Sequence, residues 1–116
     1  MSGAEVIRSS DLEIRPAESV ALANGELLPL TVRELAVLVA LAQREGRVVS
    51  RDELTTAVWG KPYRRGDRSV DVYVAKLRLK LERALPGSRY IHTHFGFGYR
   101  FTPEAHERSR SLSTRR

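Results

Sequence analysis

Between Arg64 and Arg83 the chain carries seven Lys or Arg side chains against three acids. Arg64, Arg65, Arg68, Lys76, Arg78, Lys80 and Arg83 offer positive charge and hydrogen-bond donors but no acceptors. The chemistry open to such a set is reversible binding: ion pairing with phosphates, and donation to the acceptor-rich edges of bases. No catalytic constellation stands beside it. There is no Cys, hence no thiol nucleophile, thiolate metal site or disulfide. No Ser/His/Asp order has a plausible setting and no acidic cluster suits a metal, so enzyme activity is not expected. His92 and His94 share a face of an extended stretch, but two imidazoles without a third ligand make a poor metal site. Gly96-Phe97-Gly98 lacks the strand-turn-helix setting of a phosphate loop. Neither a metal nor a cofactor is expected.

The elements that would hold the cations follow from periodicity. Val70, Val74, Leu77, Leu81 and Ala84 recur at spacings of 4, 3, 4 and 3, one apolar stripe of a helix. That helix is expected over 67–85, after a basic loop at 60–66, and ends at Pro86-Gly87. Its far side carries Arg68, Ser69, Val72, Ala75, Lys76, Leu79 and Arg83. A half-buried helix with a cationic outer face suits the major groove of DNA. A merely solvated helix face would show the same pattern.

Thr31-Val32-Arg33-Glu34 and Ser50-Arg51-Asp52-Glu53 read as capping boxes, opening helices over 32–44 and 51–59. Upstream, short apolar alternations predict strands near 11–15, 18–23 and 26–30, with one more near 5–8. Asn24-Gly25 is a hairpin turn. Downstream, 90–93 and 98–101 flank the turn His94–Phe97. Residues 1–10 are expected to be a flexible segment or linker, 11–102 the domain, and 103–116 a polar, basic, disordered tail. The order is α+β: an antiparallel sheet, three helices and a hairpin. The last elements make a winged helix-turn-helix, with the hairpin 90–101 reaching a minor groove.

Charge agrees. The net charge is +6 and the pI about 10.3, yet residues 1–31 hold two Arg against five acids, so the positive field belongs to the later part. At 41% apolar and 29% charged the chain is globular. No apolar run approaches a membrane span, and no signal peptide pattern opens the chain. With the lack of Cys, this fits a cytoplasmic location.

Four phrases, LTVRELAVLVAL, GRVVSRDELTTAVWG, DRSVDVYVAKLRLKL and YIHTHFGFGYRF, occur in an order and at spacings that resemble the effector domain of the OmpR/PhoB family of bacterial response regulators. The resemblance covers roughly 11–102. It implies a four-stranded N-terminal sheet, three helices and a C-terminal hairpin. It also implies sequence-specific binding of double-stranded DNA, commonly as head-to-tail dimers on direct repeats. In most members a phosphorylatable receiver domain precedes this one, and the chain is too short to hold both.

By position, Arg68, Ser69, Tyr73, Lys76 and Arg78 match the family's DNA contacts, Arg51 and Trp59 its phosphate contacts, and Thr93 a backbone contact at the hairpin. The loop 60–66 matches the loop that meets RNA polymerase. The chain departs from the pattern at Ala75 and Leu79, where Arg or Lys is common, and at Phe95, where a minor-groove Arg is usual. The phosphate grip then falls also to Arg64, Arg65, Arg100 or the C-terminal arginines, and Lys80 is counted among the DNA-binding residues. Phe95 is expected to pack within the hairpin, against Phe97 or the end of the long helix. Asp71 is expected to form a structural ion pair with Arg68 and Arg78. Trp59 and Tyr73 fit packing or contact, and Tyr99 is expected to pack. The competing reading is a protein-interaction module on the same fold, acting through the N-terminal sheet or the 60–66 loop.

Overall fold

A computed structural model describes residues 5–105. The chain opens with a four-stranded antiparallel sheet, β1 (Ile7–Ser9), β2 (Leu12–Arg15), β3 (Val20–Ala23) and β4 (Glu26–Leu27), in that spatial order. Leu12 and Ile14 alternate inward on β2, as Ala21 and Ala23 do on β3, which gives the sheet one buried face. Asn24 and Gly25 both take positive φ, 52° and 80°, as a two-residue hairpin of the required twist demands.

Three expectations for this half need correction. The first ten residues are not all linker: Ile7–Ser9 pairs with β2 and Ser9 is buried. The strand expected from 18 begins at Val20, because Pro16–Glu18 is a 3-10 turn closed by Ser19 at φ 57°. The strand expected to 30 ends at Leu27. The next N–H, of Leu28, still donates to the Ala21 carbonyl, but Pro29 has no N–H to give. The linker assignment for residues 1–4 lies outside the described residues.

Three helices follow: α1 (Val32–Ala42), α2 (Arg51–Trp59) and α3 (Ser69–Ala84). Thr31 caps α1 in a full capping box: its hydroxyl accepts from the Glu34 N–H at 3.2 Å, and the Glu34 carboxylate accepts from the Thr31 N–H at 2.8 Å. The helix ends at Ala42, two residues early, and the chain turns away through Gly46 at φ 91°, whose N–H donates to Phe101. Ser50 caps α2 by accepting from the Glu53 N–H, but the reciprocal half is absent. The Glu53 carboxylate instead accepts from Arg44 at 2.9 Å and Arg47 at 2.7 Å. For α3, the Asp67 carboxylate accepts from the Ser69 N–H at 2.9 Å, so the helix starts at Ser69 and not at 67.

A second sheet combines β5 (Val48–Val49), β6 (Ser88–His94) and β7 (Gly98–Ala105) in the order β5-β7-β6. The hairpin is longer than expected, because Ser88 pairs with Ala105. Residues 103–105 therefore belong to a strand and not to a tail, while the tail assignment for 106–116 lies outside the described residues. Val37, Leu38 and Leu41 of α1, Leu54 of α2, Val70, Val74, Leu77 and Leu81 of α3, and Ile91 and Phe101 of the hairpin close one core. The whole apolar stripe of α3 is spent on it, which turns the opposite face outward and sets the hairpin beside it.

Candidate nucleic-acid interface

Helix α3 lies against α1 on one flank and β6 on the other. Along its outer face Arg68, Val72, Ala75, Lys76, Leu79 and Arg83 are exposed, with Ser69 half-buried at the N-terminal end. Lys76 extends its ammonium over the Tyr73 ring, 5.0 Å from the centroid. Tyr73 packs in turn against Trp59, with 5.8 Å between ring centroids, and the Arg33 guanidinium lies over the Trp59 ring at 5.2 Å. Tyr73 and Trp59 are thus half-buried supports with an accessible side. Arg33, which also donates to the Val58 carbonyl, was not singled out from the sequence. Only its proximity to Trp59 in space marks it. Arg64 and Arg65 are exposed in the loop before α3.

Not every cation assigned to the interface is free to serve it. Lys80 donates to the Glu34 carboxylate at 2.6 Å and to the Pro29 carbonyl at 3.0 Å, tying α3 to the start of α1. Burial pushes the Glu34 carboxyl up, but the Lys80 ammonium and the Thr31 N–H outweigh it and hold the group below its ordinary range. Lys80, expected on the DNA-binding face, is thus engaged in a tie within the domain. Arg78 occupies the other flank. It donates to the Ile91 carbonyl at 3.0 Å and to the Thr93 hydroxyl at 2.6 Å, and lies over the Tyr99 ring at 5.5 Å. Burial depresses its guanidinium, and its donors face the hairpin. Arg78 and Thr93 thus clamp α3 to the hairpin together.

Arg51 is also engaged. It donates to Asp71 at 2.8 Å and stacks over Tyr99, whose hydroxyl donates to the same carboxylate. Arg68 completes the cluster at 3.3 Å from Asp71. The expected ion pair of Asp71 with Arg68 is present, but its second partner is Arg51, because Arg78 is turned toward β6. Burial raises the Asp71 carboxyl, and the Tyr99 hydroxyl and Arg51 guanidinium more than offset that, leaving it lowered. One carboxylate therefore joins the starts of α2 and α3 to β7.

At the hairpin, Arg100 is half-buried, donating to the His94 imidazole at 3.0 Å. His92 is buried with its Nε2 2.8 Å from the Thr102 carbonyl. Phe95 and Phe97 stand out at the tip, 88% and 74% exposed. The expected packing of Phe95 within the hairpin is overturned. With Gly96 between them at φ 84°, both rings project from the tight turn into solvent.

The family described as "Transcriptional regulatory protein, C terminal", the OmpR/PhoB-type DNA-binding domain, matches residues 25–101. The chain belongs to it. Among relatives of this OmpR/PhoB-type domain, the response regulator SaeR of Staphylococcus aureus is 34% identical over 106 residues, which are 91% of this chain and 44% of SaeR. The chain thus spans less than half the length of the curated relatives it matches. The RstA DNA-binding domain of Klebsiella pneumoniae, solved in complex with the RstA box, superposes with a TM-score of 0.77 at 32% identity, over 84% of this chain and 97% of that one. The DNA-binding domain of CpxR from Escherichia coli gives 0.78 at 32% identity, over 85% and 97%. The winged-helix fold read from the sequence is thereby shown. The family is one of DNA-binding transcription regulators and not of enzymes.

Proposed function

We propose that this domain is a sequence-specific transcription regulator that binds duplex DNA, with the outer face of α3 in the major groove and the β6–β7 hairpin at the minor groove. The observation that carries it is the face itself: Arg68, Lys76 and Arg83 stand exposed along one side of a helix whose opposite side buries Val70, Val74, Leu77 and Leu81. A relative of the same fold solved on its own DNA box supports the placement. Arg64 and Arg65 reach phosphates beside the helix, and Trp59, Arg51, Thr93 and Arg100 position it from the edges. The exposed 60–66 loop is the surface offered to RNA polymerase, and neighbouring copies lie head to tail on direct repeats. A bacterial cytoplasmic location follows from a chromosomal target.

Salt dependence tests this. With about six phosphate contacts, log K against log salt falls with a slope near −5. A slope near zero, or preference for an acidic protein over duplex DNA, would favour the interaction-module reading instead.

A further inference from the structure

The outer face of α3 is not uniformly polar. Val72, Ala75 and Leu79 form a second apolar line, spaced 3 and 4, directly opposite the buried stripe. Val72 is 46% exposed and Leu79 49%, high for large aliphatic side chains on a helix whose core face is already complete. Nothing within the described domain covers them. Arg68 and Arg83 bracket the line at its two ends, and Lys76 stands beside its middle.

We infer that this line reads thymine methyl groups. The inference rests on the proposed DNA-binding function and specifies what the helix recognises. In the major groove the C5-methyl of thymine is the one apolar feature a base pair presents, and it is matched by apolar contact. The exposed cations Lys76 and Arg83 favour an occupant bordered by phosphates over an apolar protein surface, which would leave those charges without counterions. The dimensions agree. From Val72 to Leu79 the helix rises about 10 Å, roughly three base-pair steps at about 3.4 Å each. The preferred site is therefore a duplex with thymines facing this line, beside the acceptor edge that Lys76 meets.

The test replaces thymine by deoxyuridine, which deletes the methyl and leaves every hydrogen-bonding group in place. A preferred duplex is first selected from a random pool with the whole chain. Each thymine of the bound half-site is then exchanged singly, and affinities are measured at one salt concentration. The expected result is that at least two exchanges each weaken binding about fourfold, the factor for one buried methyl. In Val72→Ser and Leu79→Ser each penalty at the matching position disappears, while the salt slope stays as in the parent. Circular dichroism checks that both exposed-site variants remain folded. A selected site without thymines there, or exchanges that change nothing, overturns the inference while leaving DNA binding intact. Serine variants that keep the full penalty overturn it too. Failure to select any duplex overturns the proposed function itself.

Discussion

Lys76 and Lys80 lie four residues apart on one helix, yet their removal should have opposite consequences. Lys80→Met keeps the length and apolar stem but deletes the ammonium 2.6 Å from Glu34. The Glu34 carboxylate, 3% exposed, is then left with the Thr31 N–H at 2.8 Å as its remaining close donor. Breaking a buried pair costs about 3–5 kcal/mol. The Lys80 side chain is 32% exposed, so water screens part of this and the expected loss is about 2 kcal/mol. For a domain of this size that lowers Tm by roughly 10 °C. The pH dependence has a definite sign. The folded pKa of Glu34 is depressed, so its contribution is present above the unfolded value, near 4.5, and is lost as pH falls through the lower folded value. The gap between Lys80→Met and the parent should therefore narrow in acid. Lys76→Ala removes an exposed side chain and should change stability by no more than about 0.5 kcal/mol. It should cost about 1–3 kcal/mol on the preferred duplex and relax its base preference. Urea unfolding at neutral and acid pH, with anisotropy titrations on selected and random duplexes, measures both. An unchanged unfolding midpoint for Lys80→Met with weakened DNA binding would refute the structural assignment of Lys80. An unchanged specific-to-random ratio for Lys76→Ala would refute the other half.

Gly98→Ala should be severe: φ is 142°, and an added Cβ would sit 2.0 Å from the Val49 carbonyl oxygen. Backbone strain and overpacking together make about 2–5 kcal/mol, whereas Gly96→Ala, with open space around it, should lose only about 1 kcal/mol; paired thermal melts compare them. Glu53→Gln should lose stability at neutral pH, because Arg47 and Arg44 hold that carboxyl at about 2; the deficit fades as pH falls from 4.5 to 2 in pH-dependent melts. Phe95→Arg should strengthen binding to sites with A·T-rich flanks, since a guanidinium at the exposed tip answers the potential of a narrow minor groove. Affinities for one core site with A·T-rich or G·C-rich flanks decide it, and no gain with Arg would count against the wing's placement.

The sequence by itself determined what depends on near neighbours along the chain. Thr31 and Ser50 each cap the helix that follows because the N–H they accept lies three residues on. Asn24-Gly25 closes a hairpin through its own backbone angles. The stripe Val70, Val74, Leu77, Leu81 fixed which side of α3 is buried, and so which side is free for DNA. Phrase order fixed the family. What the sequence left undecided was where each charged side chain ends. Helical projection orders residues around their own axis but is blind to what packs on either flank. Lys80 meets a carboxylate 46 residues earlier, and Arg78 a carbonyl 13 residues later. Arg51 meets a carboxylate 20 residues on. In sequence these cations are equivalent to Arg68 and Lys76. Only tertiary packing, which brings α1 and β6 against the two flanks of α3 and leaves its outer face bare, separates cations engaged with carboxylates and carbonyls of other elements from those that stand exposed.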